Sequence, residues 1–73
     1  MNVLLIEDEV HVSQFIKKGL EEQMFRVDVA FDGSTGLKLA LQNNYDVIIL
    51  DLILPEINGI QVCTQLRKQL HVP

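Results

Sequence analysis

The chain has 73 residues, a mass of 8.3 kDa and a formal net charge of −4 at pH 7. This length allows one small domain at most, and a composition of 48% hydrophobic and 22% charged residues is typical of a globular protein rather than a disordered one. The acidic balance argues against direct nucleic-acid binding by this segment, because such binding relies on basic groups that displace counterions from phosphates.

The single cysteine, Cys63, permits neither an intramolecular disulfide nor a cysteine-based zinc site, and it fits a reducing compartment. No stretch approaches the roughly 18 apolar residues of a membrane helix. The apolar run at the N-terminus is short and has no basic region ahead of it, unlike a secretory signal. We therefore expect a cytoplasmic protein that has no contact with a membrane.

Three segments have the pattern of β-strands. The short apolar runs at 3–6 and Val47–Leu50 predict strands that are buried on both faces, as in a parallel sheet covered by helices. The segment Arg26–Ala30 alternates polar and apolar residues instead, which predicts an edge strand with one wet face.

Helical patterns lie between and after these strands, and each places apolar or small residues on one stripe at spacings of three and four positions. The stripes comprise Val12, Phe15, Ile16, Gly19 and Leu20 in the first helix, Gly36, Leu37, Ala40 and Leu41 in the second, and Val62, Cys63, Leu66 and Leu70 in the third. The turn signal Asp32-Gly33 precedes the second helix, and Asn58 is a reasonable N-cap for the third. The order β-α-β-α-β-α predicts an α/β fold with a parallel sheet and right-handed crossovers.

Acidic residues follow two of the predicted strands. Glu7 and Asp8 come directly after the first strand, and Asp51 comes directly after the third. Ligands of open parallel sheets bind beyond the carboxyl ends of the strands, so we expect these carboxylates to converge if the two strands are neighbours. Crowded carboxylates suit Mg²⁺, and an aspartate can act as a nucleophile that forms an acyl phosphate.

Each acidic group also has an ordinary structural interpretation. Acids at the start of a helix complement the helix dipole, which by itself accounts for Glu7, Asp8 and Glu9. A single aspartate at the end of a strand, such as Asp51, is usually a turn or cap residue. Only the combination and its spacing indicate a site.

Three segments carry a resemblance to a known family: VLLIEDE at 3–9, FDGSTGLKLA at 31–40, and YDVIILDLILPEINGIQVCTQLR at 45–67. On these segments the chain resembles the receiver domains of bacterial response regulators, particularly those with a winged-helix DNA-binding output domain. The resemblance extends along the whole chain. It implies a flavodoxin-like three-layer fold with strand order 2-1-3-4-5, of which residues 1–73 hold the N-terminal (βα)3 part in the order 2-1-3.

The resemblance also implies a function in two-component signal transduction. Asp51 matches the phospho-acceptor, which receives its phosphoryl group from a sensor histidine kinase. Glu7 and Asp8 match the acidic pair that binds Mg²⁺ together with Asp51, and Ile53 matches the position whose backbone carbonyl is a further metal ligand. Pro55 and Gly59 match the turn that follows the acceptor.

The chain ends, by the same resemblance, where a fourth strand should begin. The family's Ser or Thr and its Lys on later strands then have no counterpart in residues 1–73, which implies slow phosphorylation of this chain by small donors. The third strand, central in the complete fold, would present an open apolar edge, and such edges pair with other chains. We therefore expect a homodimer formed through Val47–Leu50.

Two other functions fit the same residues. One is an interaction or structural module of this fold that is never phosphorylated. The other is a metal-dependent phosphatase with a similar arrangement of acids. The phosphatase is disfavoured because such enzymes usually carry a second acid two residues after the nucleophile, where this chain has Ile53.

Overall fold

The structure, a computed structural model, describes residues 1–51, 59–70 and 73. Strands and helices alternate along the chain in the following order: β1 Asn2–Ile6, α1 Val10–Glu22, β2 Arg26–Ala30, α2 Gly33–Gln42, β3 Val47–Leu50 and α3 Gly59–Gln69. The three strands are parallel and lie in the order β2-β1-β3. The predicted α/β fold, its parallel sheet and its 2-1-3 strand order are confirmed. The predicted helix cap Asn58 lies outside the described residues.

The central strand β1 forms the core of the sheet. Its four apolar residues are at most 2% exposed, as the sequence predicted for a strand covered on both faces. Because successive side chains of a strand point to opposite faces, Leu4 and Ile6 pack towards α2 and α3, whereas Val3 and Leu5 pack towards α1. The strand β3 lies at the edge of the sheet, and all four of its residues are half-buried.

The helices α2 and α3 cover one face of the sheet. On α3, Val62 and Leu66 are buried, and Leu70, directly after the helix, packs against the same cluster, which agrees with the prediction for these three residues. On α2, Ala40 is buried but Leu41 is 50% exposed, so the prediction for Leu41 is wrong. Successive helical residues are rotated by about 100°, and with Ala40 facing the sheet the next residue points away from it.

The helix α1 covers the other face with fewer residues than predicted. Ser13, Ile16 and Leu20 face the sheet, and Ser13 is buried with its hydroxyl donating to the Val10 carbonyl at 2.8 Å. The sequence did not indicate Ser13, because a serine does not register in a hydrophobic pattern.

The other residues of the stripe predicted for α1 do not face the sheet. Val12 is 43% exposed and Phe15 is 81% exposed, and Gly19 is also exposed, so the prediction of one buried stripe is wrong for these three residues. The physical reason is that α1 packs mainly over β2 at the edge of the sheet, so that only the face of Ser13, Ile16 and Leu20 meets the sheet.

The strand β2 is an edge strand, as predicted, but its predicted wet face is exposed only at Arg26. Asp28 is half-buried and Ala30 is buried on that side. Tyr45, which precedes β3 and is only 9% exposed, covers this face and donates its hydroxyl hydrogen to the Asp28 carboxylate at 2.8 Å. Burial and, secondarily, the Asp28 carboxylate raise the pKa of Tyr45 to about 12.

None of the helices in the described part of the chain is both long enough and apolar enough to span a membrane.

We predict that Tyr45→Phe lowers the free energy of unfolding by about 1 kcal/mol, because Asp28 loses a hydrogen bond in a half-buried place. The pKa of Tyr45 is higher in the folded chain than its ordinary value of 10.0, so the folded state retains a proton that the unfolded state loses. The stability of the parent chain should therefore fall as the pH rises through the interval from 10.0 to about 12. Urea denaturation followed by circular dichroism should show this fall in the parent and a smaller one in Tyr45→Phe; equal slopes would contradict the assignment.

Two glycines offer a matched test of the packing. A Cβ atom at Gly36 would lie 2.5 Å from Cδ1 and 2.8 Å from Cγ1 of Ile6, whereas a Cβ atom at Gly19 would meet nothing within 4 Å. We predict that Gly36→Ala costs about 1–3 kcal/mol through overpacking, and that Gly19→Ala stabilises α1 by up to about 1 kcal/mol because alanine favours the helix. Thermal and urea denaturation check both values, and a stabilising Gly36→Ala would show that α2 packs less closely on β1.

Candidate functional site

The acidic site lies at the carboxyl edge of the sheet, directly beyond β1 and β3. These neighbouring strands are paired in register, with Ile6 opposite Leu50, so the next residue of each strand emerges at the same level. The Asp51 N–H donates to the Ile6 carbonyl at 2.9 Å, and the Glu7 N–H donates to the Ala30 carbonyl of β2 at 3.0 Å. Backbone hydrogen bonds therefore fix the starting points of both acidic segments.

Three carboxylates meet at this edge. One oxygen from each of Glu7, Asp8 and Asp51 lies within 4.8 Å of the other two. Glu7 and Asp51 are half-buried, and Asp8 is exposed. In the described ranges, these residues are the only group of three or more His, Cys, Asp or Glu side chains that could hold a metal ion. The fourth predicted ligand, Ile53, lies outside the described residues, as does Pro55.

The third acid of the first segment, Glu9, has a structural role that sequence reasoning did not separate from its neighbours. It is the N-cap of α1, and its side chain accepts the His11 N–H at 2.9 Å. Its own N–H donates to Oε1 of Glu7 at 3.2 Å. The ordinary interpretation of acids at a helix start thus holds for Glu9, while Glu7 and Asp8 occupy the turn that precedes the cap.

The electrostatics of the cluster show the cost of bringing these groups together. Partial burial raises the pKa of the Glu7 carboxyl above its ordinary value of 4.5, and the nearby carboxylates of Asp51 and Asp8 raise it further; the Glu9 N–H acts in the opposite direction. A divalent cation bound between the three carboxylates would relieve this repulsion. Carboxylate oxygens are ligands that Mg²⁺ prefers, so the residues present fit that ion.

Comparisons with known proteins agree with this geometry. Residues 3–73 match the model of the response regulator receiver domain. The chain is 45% identical over 71 residues to the response regulator ArlR of Staphylococcus saprophyticus, which covers 97% of this chain and 32% of that protein. The chain therefore spans about a third of the length of this curated relative.

Two solved structures share the fold. The response regulator TrrA of Thermotoga maritima, solved in complex with Mg²⁺ and a beryllium fluoride, has a TM-score of 0.91 and 34% identity over 93% of this chain and 59% of its own. TrrA bound to the histidine kinase ThkA has a TM-score of 0.90 and 33% identity over 94% of this chain and 60% of its own.

The fold and the acidic edge thus define a flavodoxin-like signalling module of the two-component type. The chain belongs to the response regulator receiver domain family.

We predict that replacing Glu7 removes part of the electrostatic repulsion in the absence of metal. Because its pKa is raised in the folded chain, Glu7 should lower stability as the pH rises from about 4.5 through the raised value. Above that range Glu7→Gln should be more stable than the parent, with a flatter dependence on pH. Urea denaturation in a chelating buffer, from about pH 4 to pH 8, measures both effects.

The control for this prediction is Glu22→Gln, which removes the same charge from an exposed position at the end of α1. It should leave the pH dependence of the parent unchanged. If Glu7→Gln and Glu22→Gln had the same profile, repulsion within the acidic cluster would not be its cause.

Proposed function

We propose that residues 1–73 form the N-terminal (βα)3 part of a receiver domain in which Asp51 accepts a phosphoryl group from a sensor histidine kinase. In this proposal Glu7, Asp8, Asp51 and the backbone carbonyl of Ile53 hold Mg²⁺. The observation that carries the proposal is the meeting of three carboxylates within 4.8 Å at the carboxyl edge of the sheet, in a chain of this family.

When bound, Mg²⁺ would neutralise the charge that develops on the transferred phosphoryl group. The residues of the chain position the carboxylate that reacts. The N–H of Asp51 is fixed on the Ile6 carbonyl, so that its carboxylate stands at the end of β3 and remains accessible. An oxygen of Asp51 attacks phosphorus and forms an O–P bond while the N–P bond of the donor phosphohistidine breaks, and the departing imidazole takes up a proton.

Related proteins support the choice of partner. TrrA, which shares the fold and 33% identity, has been solved bound to a histidine kinase. This chain is about a third as long as the ArlR relative, and we propose that in a longer protein it controls a separate DNA-binding output domain. With a net charge of −4 the segment itself would not bind nucleic acid, and phosphotransfer from a kinase would take place in the cytoplasm. The chain acts here as a phospho-acceptor and not as an enzyme with a turnover of its own.

The test is a long incubation with acetyl phosphate and MgCl₂, followed by intact-mass measurement. We predict that one phosphoryl group is added slowly to the parent chain, that Asp51→Asn abolishes the addition, and that a chelator does the same. Reduction of the acyl phosphate with borohydride converts the modified aspartate to homoserine, and peptide mapping should find homoserine at position 51.

The matched control is Asp46→Asn. Asp46 stands at the other end of the same strand, where its carboxylate accepts the Asn2 N–H at 2.7 Å, and asparagine keeps an oxygen for this bond. Asp46→Asn should be modified as the parent is. Modification that persists in Asp51→Asn, or that proceeds equally in the chelator, would refute Asp51 as a magnesium-dependent acceptor.

Self-association through the edge of β3 forms part of the same proposal, and it does not require phosphorylation of Asp51.

A further inference from the structure

The strand β2 ends the sheet on the side away from β3. In the strand order 2-1-3-4-5 of the family the second strand is also terminal, so the later strands of a longer chain would join the sheet beside β3. The outer edge of β2 is therefore an edge of the complete fold as well as of residues 1–73.

Two residues of β2 direct their backbone groups to this outer edge. In a parallel pair, alternate residues of a strand bond to a given neighbour. The Arg26 N–H donates to the Met1 carbonyl at 2.9 Å, so Arg26 and the other even-numbered residues of β2 face β1. The N–H and C=O groups of Val27 and Val29 therefore point outwards, and no other residue in the described part of the chain forms a hydrogen bond with them.

A cleft lies on each face of the sheet beside this edge. On the α1 face, a cleft of about 380 Å³ between α1 and β2 includes Lys17 and Phe31. On the opposite face, a polar cleft of about 230 Å³ includes Arg26, Asn44 and Tyr45. Successive side chains of a strand point to opposite faces, so a strand added at this edge would place side chains beside both clefts. Added strands gain affinity from backbone hydrogen bonds and specificity from such clefts.

The charges available beside the edge are basic. Lys17 is half-buried and Arg26 is exposed, and neither forms an ion pair with a carboxylate of residues 1–51, 59–70 or 73. The acid of β2, Asp28, is engaged, because its carboxylate accepts the Tyr45 hydroxyl hydrogen at 2.8 Å. The acidic cluster lies beyond Ala30, about 13 Å along the strand from Arg26, which exceeds the Debye length of about 8 Å at physiological ionic strength. The edge therefore favours a negatively charged partner.

We propose that the outer edge of β2 binds an extended acidic segment of another protein as an added antiparallel strand. The N–H and C=O groups of Val27 and Val29 form four backbone hydrogen bonds with this segment. One carboxylate of the segment pairs with Lys17 on the α1 face, and the next pairs with Arg26 on the opposite face. An apolar side chain packs on Phe31, which is 48% exposed.

A second copy of this chain fits the same edge less well. An antiparallel dimer that pairs Val27 with Val29 would have its two-fold axis at Asp28, and the two Asp28 carboxylates would lie opposite each other. Like charges directly opposite in a sheet destabilise the pairing. Charged residues on an edge strand, here Arg26 and Asp28, also discourage unselective association. The edge thus selects its partner by charge.

Amide hydrogen exchange, followed by NMR with a synthetic peptide, tests the proposal. The probe is acetyl-Thr-Val-Thr-Glu-Glu-amide, whose antiparallel pairing places valine beside Val29 and the glutamates beside Val27 and Arg26. We expect the Val27 and Val29 N–H groups to exchange at least about tenfold more slowly with millimolar peptide than without it. The N–H groups of Asp28 and Ala30 already bond to β1, so they should change much less.

Matched variants test the role of charge. Lys17→Gln should weaken binding of the peptide about two- to fivefold, the range expected for loss of an exposed ion pair. Lys18→Gln removes the same charge from the next residue of α1, which lies outside the cleft, and should bind as the parent does. A peptide with glutamine in place of both glutamates should also bind more weakly. Asp51→Asn should bind the peptide unchanged, because the proposal does not depend on phosphorylation.

Three results would overturn the proposal. The first is unchanged exchange of the Val27 and Val29 N–H groups at millimolar peptide. The second is equal binding by Lys17→Gln and Lys18→Gln, or equal binding of the glutamate and glutamine peptides. The third is protection of the same two N–H groups that grows with the concentration of the chain in the absence of peptide, because a second copy would then occupy the edge.

Discussion

The pairing of β1 with β3 is the constraint on which the acidic site depends. The hydrogen bond from the Asp51 N–H to the Ile6 carbonyl closes this ladder and holds the two strand ends level. Residues of a strand advance by about 3.3 Å, so a slip of two positions would move Asp51 by about 6.6 Å. That displacement exceeds the 4.8 Å within which the three carboxylates now meet, and a slip of one position would turn Asp51 to the other face.

Features that depend on a single element could be predicted from the sequence. The strands, the helix order and the acids at the strand ends all follow from local patterns, and strand order came from resemblance. Features that depend on which other parts of the chain pack against a strand or helix could not be predicted from the sequence. Phe15 is on an apolar stripe and yet exposed, because α1 meets the sheet through Ser13 and Ile16. Asp28 alternates with apolar neighbours and yet is half-buried, because Tyr45 reaches it from a connection 17 residues away in sequence. Likewise, Glu9 resembles Glu7 and Asp8 in sequence, and only its contact with the His11 N–H identifies it as a cap.

The short turn after β1 contains one acid that caps a helix and two acids that lie close to a third carboxylate. Glu9 satisfies the free N–H groups of α1, and this fixes the direction in which the helix leaves the sheet. Glu7 and Asp8 are thereby held close to Asp51, and the pKa of Glu7 is raised first by partial burial and then by the carboxylates of Asp51 and Asp8. The hydrogen bonds of the Glu9 cap thus help to hold the carboxylates of Glu7, Asp8 and Asp51 close together. A cation bound between them would offset their repulsion, so its binding would be favoured in free energy.

The strand β3 joins this acidic site to the open edge of the sheet. Its carboxyl end carries Asp51, while the backbone groups of Leu50, one residue earlier, face outwards without a partner in the described chain. On one side, hydrogen bonds to β1 restrain the backbone that positions Asp51, and on the other side the Ile48 N–H donates to the Pro73 carbonyl at 2.6 Å. Further hydrogen bonds to the outward backbone groups of Leu50 would restrain the residue next to Asp51 on that side too. Hydrogen bonds at the outer side of β3 therefore also affect the position of Asp51. The outward backbone groups of Leu50 and the carboxylate of Asp51 belong to consecutive residues of the chain.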